Sequence, residues 1–231
     1  MFTALAVSSL MAAALSYLLG SISFSIIFTK KLRNADIRTM GSGNAGLTNV
    51  LRSVGMKAGV LTLIFDFAKG AASVYAGRMI FSFFAATHGL PPYYAQYGAY
   101  LAGLFCMIGH IYPLYFGFRG GKGVLSSAAT LAVLDWRLFI VCVGFFALVV
   151  ALSRYVSLGS ILGAASFPVA NFLIIFREYR SGTSPFGPLP LSYVWITTLL
   201  AVVTAVVVIA KHRDNIRRLR NGTENKFTIH R

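Results

Sequence analysis

Four long stretches of this chain contain no Asp, Glu, Lys or Arg, and their length limits what it can fold into. They are Met1–Thr29, Met79–Phe118, Tyr155–Phe176 and Ser181–Ala210. A helix needs about 20 apolar residues to cross the hydrocarbon core of a bilayer. Only 12% of the 231 residues are charged, against 57% hydrophobic, too few to cover a soluble surface. These runs predict a single polytopic, all-α membrane domain over residues 1–231. The first cation, Lys30, follows the first apolar run, so that run reads as a retained span with no signal-peptide n-region.

Candidate spans are Thr3–Phe28, Ala58–Phe84, Tyr94–Phe116, Val124–Leu134, Leu138–Ser153, Val156–Phe176 and Leu191–Ala210. The fourth would extend only about 16 Å as a helix. Charge decides how to count it. Seven crossings with the N-terminus outside place sixteen cations on the inner face. They are Lys30, Lys31, Arg33, Arg38, Arg52, Lys57, Arg119, Lys122 and Arg154, with Lys211, Arg213, Arg217, Arg218, Arg220, Lys226 and Arg231 in the tail. Arg137, Arg177 and Arg180 stay outside, and Lys69 and Arg78 fall within the second span. Six crossings would move the tail out, against the positive-inside rule. The expectation is seven transmembrane helices, the fourth short, with the C-terminus cytoplasmic. The net charge of +15 then belongs to topology and anionic lipid, and no nucleic-acid partner is implied. Cys106 and Cys142 sit inside apolar runs and read as small core residues.

Three polar segments are expected on the inner face. In GSGNAGLTNVLR, 41–52, Gly41, Gly43, Asn44 and Gly46 tolerate positive φ, and successive N–H groups can form a nest for an anion. Ser42, Thr48 and Asn49 add neutral donors, and Arg52 adds a fork suited to phosphate. In GHIYPLYFGFRGGKGV, 109–124, Arg119, Gly120, Gly121, Lys122 and Gly123 lead into a helix N-terminus, an anion site by construction. It is no Walker loop: Phe116 occupies the first glycine position, and Gly123 stands where Ser or Thr would hold magnesium. His110 reads as a satisfied core histidine. In KHRDNIRRLRNGTENK, 211–226, His212, Asn215, Ile216 and Leu219 share one helical face. That face is expected to pack inward, leaving Arg213, Arg217 and Arg220 for lipid headgroups. Asp66 and Lys69 are one turn apart in the second span and read as a mutual ion pair. Ser157, after the fifth span, is placed to join a polar pocket.

No HxxxxD, GxSxG or metal-spaced His/Cys/carboxylate cluster occurs. No metal, cofactor or side-chain nucleophile is expected.

These segments together resemble the bacterial membrane family of acyl-phosphate:glycerol-3-phosphate acyltransferases. The likeness rests on 41–52, 109–124 and HRDNIRRLRNGTE at 212–224, with RYVSLGS at 154–160 and DFAKG at 66–70. Tyr112 and Arg119 depart from the usual Phe and Lys. The resemblance implies transfer of a fatty acyl group from acyl phosphate to the 1-hydroxyl of glycerol 3-phosphate. The products would be lysophosphatidate and phosphate, in the first committed step of phospholipid synthesis. It also implies a multi-pass protein of the inner (cytoplasmic) membrane with its site on the cytoplasmic side. The soluble enzyme that makes acyl phosphate is a candidate partner.

Both substrates carry phosphate and the donor is already activated, which suits a site with two anion cradles and no triad. On this reading Ser42, Arg52 and Lys122 hold phosphate and Ser157 assists, within a wider set of Gly43, Asn44, Thr48, Asn49, Arg119, Gly120, Gly121 and Gly123. His212, Asn215 and Lys122 form the catalytic group. Either His212 or the substrate phosphate takes the hydroxyl proton. A transporter for an anionic metabolite or lipid is the alternative, but it calls for a polar path across the membrane or inverted repeats, and neither is evident.

Overall fold

The computed structural model describes residues 2–226. Met1 of the first run and Arg231 of the basic tail lie outside them. Among the described residues every regular element is helical. Six stretches are long and apolar enough to cross a membrane: Phe2–Arg33, Met56–Thr87, Tyr94–Phe116, Trp136–Ser153, Val156–Ser181 and Leu191–Lys211. Val124–Leu134, the expected fourth span, is an 11-residue apolar helix, shorter than these. The chain divides into two compact units, Met1–Leu134 and Asp135–Arg231.

The first unit holds α1 (Phe2–Gly20), α2 (Phe24–Arg33), α3 (Leu47–Ser53), α4 (Met56–Thr87), α5 (Tyr94–Ile111) and α6 (Val124–Leu134). Helix α4 is its hub and packs against all the others. The span expected as one helix over Thr3–Phe28 breaks after Gly20 and restarts at Phe24. Hydropathy could not show this, because the sequence stays free of charge through the break. The reason is tertiary: Lys69 of α4 donates to the carbonyls of Gly20 and Ile22, which the break releases. Lys69 also pairs with Asp66 at 2.7 Å, as expected.

The second unit holds α7 (Trp136–Ser153), α8 (Val156–Ser181), α9 (Leu191–Lys211) and α10 (Arg213–Arg220). Asp135 caps α7 by accepting from the Arg137 N–H at 2.8 Å. The Arg137 guanidinium then joins Asp135 to Glu178 of α8. Helix α8 therefore runs to Ser181 rather than ending at Phe176, and carries Arg177 and Arg180 on its last turns. Helix α7 stops at Arg154, which adopts a left-handed φ of 62°. Cys106 and Cys142 are both free and buried.

Candidate active site

The 41–52 segment is built over a small apolar core of its own. Ile26, Ile37, Ala45, Val50, Val54 and Ala58 cluster beneath it, with Met40 and Phe116 against them. Burying these side chains ties a polar loop to α2, α3 and the start of α4. Gly41 and Gly43 take φ of 53° and 69°, the left-handed region that a Cβ disfavours. Asn49, expected among the phosphate donors, is buried, and its amide is engaged inside the loop. It donates to the carbonyls of Ile37, Met40 and Asn44 at 3.2, 2.9 and 3.1 Å, and its oxygen accepts from the Ser42 N–H at 3.0 Å. Asn49 thus shapes the nest. Ser42, Gly43 and Arg52 are exposed on it, and Asn44 and Thr48 are half-buried.

The 119–123 segment is laid against the end of α5. The Gly120 N–H donates to the Ile111 carbonyl and the Gly121 N–H to the His110 carbonyl, each at 3.1 Å. Gly121 has no room for a side chain: a Cβ there would stand 2.2 Å from His110 Nε2 and 2.7 Å from the Ala45 carbonyl oxygen. Ala45 belongs to the first segment, so the two glycine-rich segments touch at Gly121. Arg119 is exposed, Lys122 half-buried, and Gly123 turns into α6 with φ 83°.

Arg38 ties the same two segments together. Its guanidinium donates to the carbonyls of Phe116 at 2.6 Å and Arg119 at 3.3 Å. Asp36 fixes it through both carboxylate oxygens at 2.7 to 3.0 Å. The hydrogen bond from Arg38 holds the Asp36 carboxyl below its ordinary pKa, outweighing partial burial. An open cavity of about 590 Å³ lies here, lined by Asp36, Arg38, Thr39, Tyr115, Phe116, Gly117 and Arg119.

In the second unit the chain turns at His212 between α9 and α10, with φ −97° and ψ 10°. His212 and Asn215 are buried, Ile216 and Leu219 half-buried, and Arg213, Arg217 and Arg220 exposed, as the helical spacing requires. His212 Nδ1 lies 2.8 Å from the Val208 carbonyl. A carbonyl only accepts, so Nδ1 carries a proton and donates it to Val208. Ser157 Oγ and Asn215 Nδ2 each donate to Glu224 Oε1 at 2.7 Å, and Arg218 Nε donates to Oε2 at 2.6 Å. Burial raises the Glu224 pKa, but these three donors outweigh it and leave the carboxyl below its ordinary value.

The chain matches the family described as glycerol-3-phosphate acyltransferase over residues 10–222. A glycerol-3-phosphate acyltransferase of Shouchella clausii is 41% identical over 214 residues, covering 91% of this chain and 92% of that protein. One from Clostridioides difficile is 39% identical over 220 residues, covering 95% and 96%. The chain belongs to the glycerol-3-phosphate acyltransferase family. Among solved structures, PlsY, an integral membrane glycerol 3-phosphate acyltransferase, superposes in its glycerol 3-phosphate form with a TM-score of 0.72 at 31% identity over 96% of both chains. Its lysophosphatidic acid form gives a TM-score of 0.71. With these relatives and its apolar helices, this family member is a multi-pass integral membrane protein.

Three features of this acyltransferase-family chain escaped sequence reasoning. Arg38 counted only as a topology cation, yet it spans 78 and 81 residues to Phe116 and Arg119. Glu224 lies within the third motif but carried no expected role; its signal was a carboxylate, one of two with Asp214, among the tail cations. Lys69 was paired with Asp66 correctly, but its hydrogen bond to His110 Nδ1 at 3.2 Å, between helices, could not be read from spacing.

Proposed function

We propose that the chain is a glycerol-3-phosphate acyltransferase that takes its acyl group from acyl phosphate. The observation that carries this is the joining of two glycine-rich, cation-bearing segments at Gly121 and Arg38 in a member of that family. Such a site suits two phosphorylated substrates.

In the reaction, the 1-hydroxyl oxygen of glycerol 3-phosphate bonds to the acyl carbonyl carbon. The bond from that carbon to the phosphate oxygen breaks, and phosphate leaves with the electron pair. The hydroxyl proton passes to His212 Nε2 or to the departing phosphate. Ser42, Arg52 and Lys122 hold phosphate, with Gly43, Asn44, Thr48, Arg119, Gly120, Gly121 and Gly123 shaping the anion cradles and Ser157 assisting. His212 and Asn215 orient the glycerol hydroxyl. The anhydride is already activated, so positioning, worth ~7–11 kcal/mol in favourable cases, and fixed donors aimed at developing charge supply the catalysis. The bond from His212 Nδ1 to Val208 leaves Nε2 as the ring atom assigned to that proton.

The finer topology belongs to the same reading. Helix α6 counts as a seventh, short crossing, the N-terminus lies outside, and the site faces the cytoplasm from the inner membrane. The chain works as one membrane domain, with the soluble producer of acyl phosphate as partner. Cysteine labelling at position 225 from the outer side would overturn this orientation.

The test mixes purified protein with palmitoyl phosphate and glycerol 3-phosphate and measures phosphate release. Release with acyl phosphate but not acyl-CoA is expected. Arg52→Ala and Lys122→Ala each remove a charged hydrogen-bond donor worth about 1.5–3 kcal/mol, so each should lower kcat/KM roughly 10- to 150-fold. Near-normal activity of both folded variants would refute the assignment.

A further inference from the structure

The ammonium of Lys69 is 6% exposed at the residue level and has three protons to donate. Its three hydrogen bonds run to the carbonyls of Gly20 at 3.1 Å and Ile22 at 2.5 Å and to His110 Nδ1 at 3.2 Å. Asp66 supplies the countercharge. An ammonium only donates, so His110 Nδ1 accepts, and the neutral ring carries its proton on Nε2. At His212, by contrast, Nδ1 donates, to the Val208 carbonyl.

The Nε2–H of His110 points to a definite place. The ring abuts Gly121 at the contact with the Ala45 carbonyl, where segments 41–52 and 119–123 meet. His110 is only 4% exposed. Its ring hydrogen bonds through Nδ1, and Nε2 has no hydrogen-bond partner among the described residues. An N–H at this junction can donate to an anion arriving there, and a hydrogen bond to a charged group is the stronger kind.

We propose that His110 is a further phosphate-contacting residue, its Nε2–H donating to a substrate phosphate held by segments 41–52 and 119–123. Asp66 and Lys69 are positioning residues that fix the tautomer. The proposal rests on the reading of those segments as phosphate cradles.

The test uses full-length protein in lipid nanodiscs with ¹⁵N-labelled histidine, the His110 signals being assigned with His110→Gln. The wild type should show a ring protonated at Nε2 alone, and Nε2 should shift when glycerol 3-phosphate or palmitoyl phosphate is added. Lys69→Met should give a mixture of tautomers. In initial-rate assays His110→Phe should raise KM for one phosphate substrate about tenfold or more, as loss of a hydrogen bond to a charged group requires. His110→Gln, which retains an N–H donor, should recover most of it, with kcat nearly unchanged. A ring protonated at Nδ1 would overturn the proposal. So would an Nε2 signal indifferent to both saturating substrates while phosphate release proceeds. If the wild type releases no phosphate from palmitoyl phosphate, the parent reading fails; if it does and His110 is silent, only this inference fails.

Discussion

Replacing Gly121 by alanine tests how closely the two glycine-rich segments depend on each other. The new Cβ would stand 2.2 Å from His110 Nε2 and 2.7 Å from the Ala45 carbonyl oxygen. Ordinary contact needs about 3.5 Å, so something must yield by roughly 1 Å. The imidazole is held by Lys69, which is itself held by Gly20 and Ile22. Ala45 is fully buried in the core under the first segment. The yielding part is therefore the 119–123 segment, whose two backbone hydrogen bonds to α5 stretch as it lifts and displaces Lys122. Overpacking of this kind costs about 1–3 kcal/mol, or about five- to 150-fold in binding. Because the strain falls on the segment, KM for a phosphate substrate should rise by about that factor while the protein still folds. The assay is phosphate release against substrate concentration, with thermal unfolding in detergent alongside. Gly144→Ala is the control: nothing lies within 4 Å of its added Cβ in helix α7, so it should be neutral or stabilising by up to about 1 kcal/mol. If Gly121→Ala and Gly144→Ala give the same kinetics, the packing of the segment against His110 and Ala45 does not govern the site.

Other outcomes follow from the same geometry. Arg38→Ala frees the Phe116 and Arg119 carbonyls and should lower kcat/KM about tenfold or more, a hydrogen bond to a charged group being worth about 1.5–3 kcal/mol; Arg38→Lys, lacking the fork, should rescue it poorly. The Glu224 carboxyl has a folded pKa below its ordinary 4.5, so its stabilisation is present above pH 4.5 and is lost as pH falls through the lowered value. Glu224→Gln should therefore lower the melting temperature at pH 7 and flatten the acid limb of stability against pH; an unchanged acid limb would contradict this. If His212 accepts the proton, kcat should fall on acidification through a titration that disappears in His212→Gln; an identical pH–rate profile would leave the phosphate as base.

The sequence by itself was enough to reveal a helical membrane protein, because the cost of placing charge in hydrocarbon is a property of each residue and of its near neighbours. The same locality made the helical face of His212 and Asn215 legible, and the Asp66–Lys69 pair one turn apart. The first two motifs stood out as candidate anion-binding segments, since glycines beside cations offer that chemistry in any fold. Tertiary structure alone decided how the side chains are used. The break after Gly20 depends on Lys69, 49 residues away. Asn49 serves its own loop, Arg38 reaches Phe116, and Glu224 gathers Ser157 from 67 residues away. Most of all, two buried histidines with the same intrinsic chemistry meet opposite kinds of partner at Nδ1. A carbonyl faces Nδ1 of His212 and an ammonium faces Nδ1 of His110. Which partner a ring nitrogen meets depends on helix packing, so no local pattern of residues could have shown it.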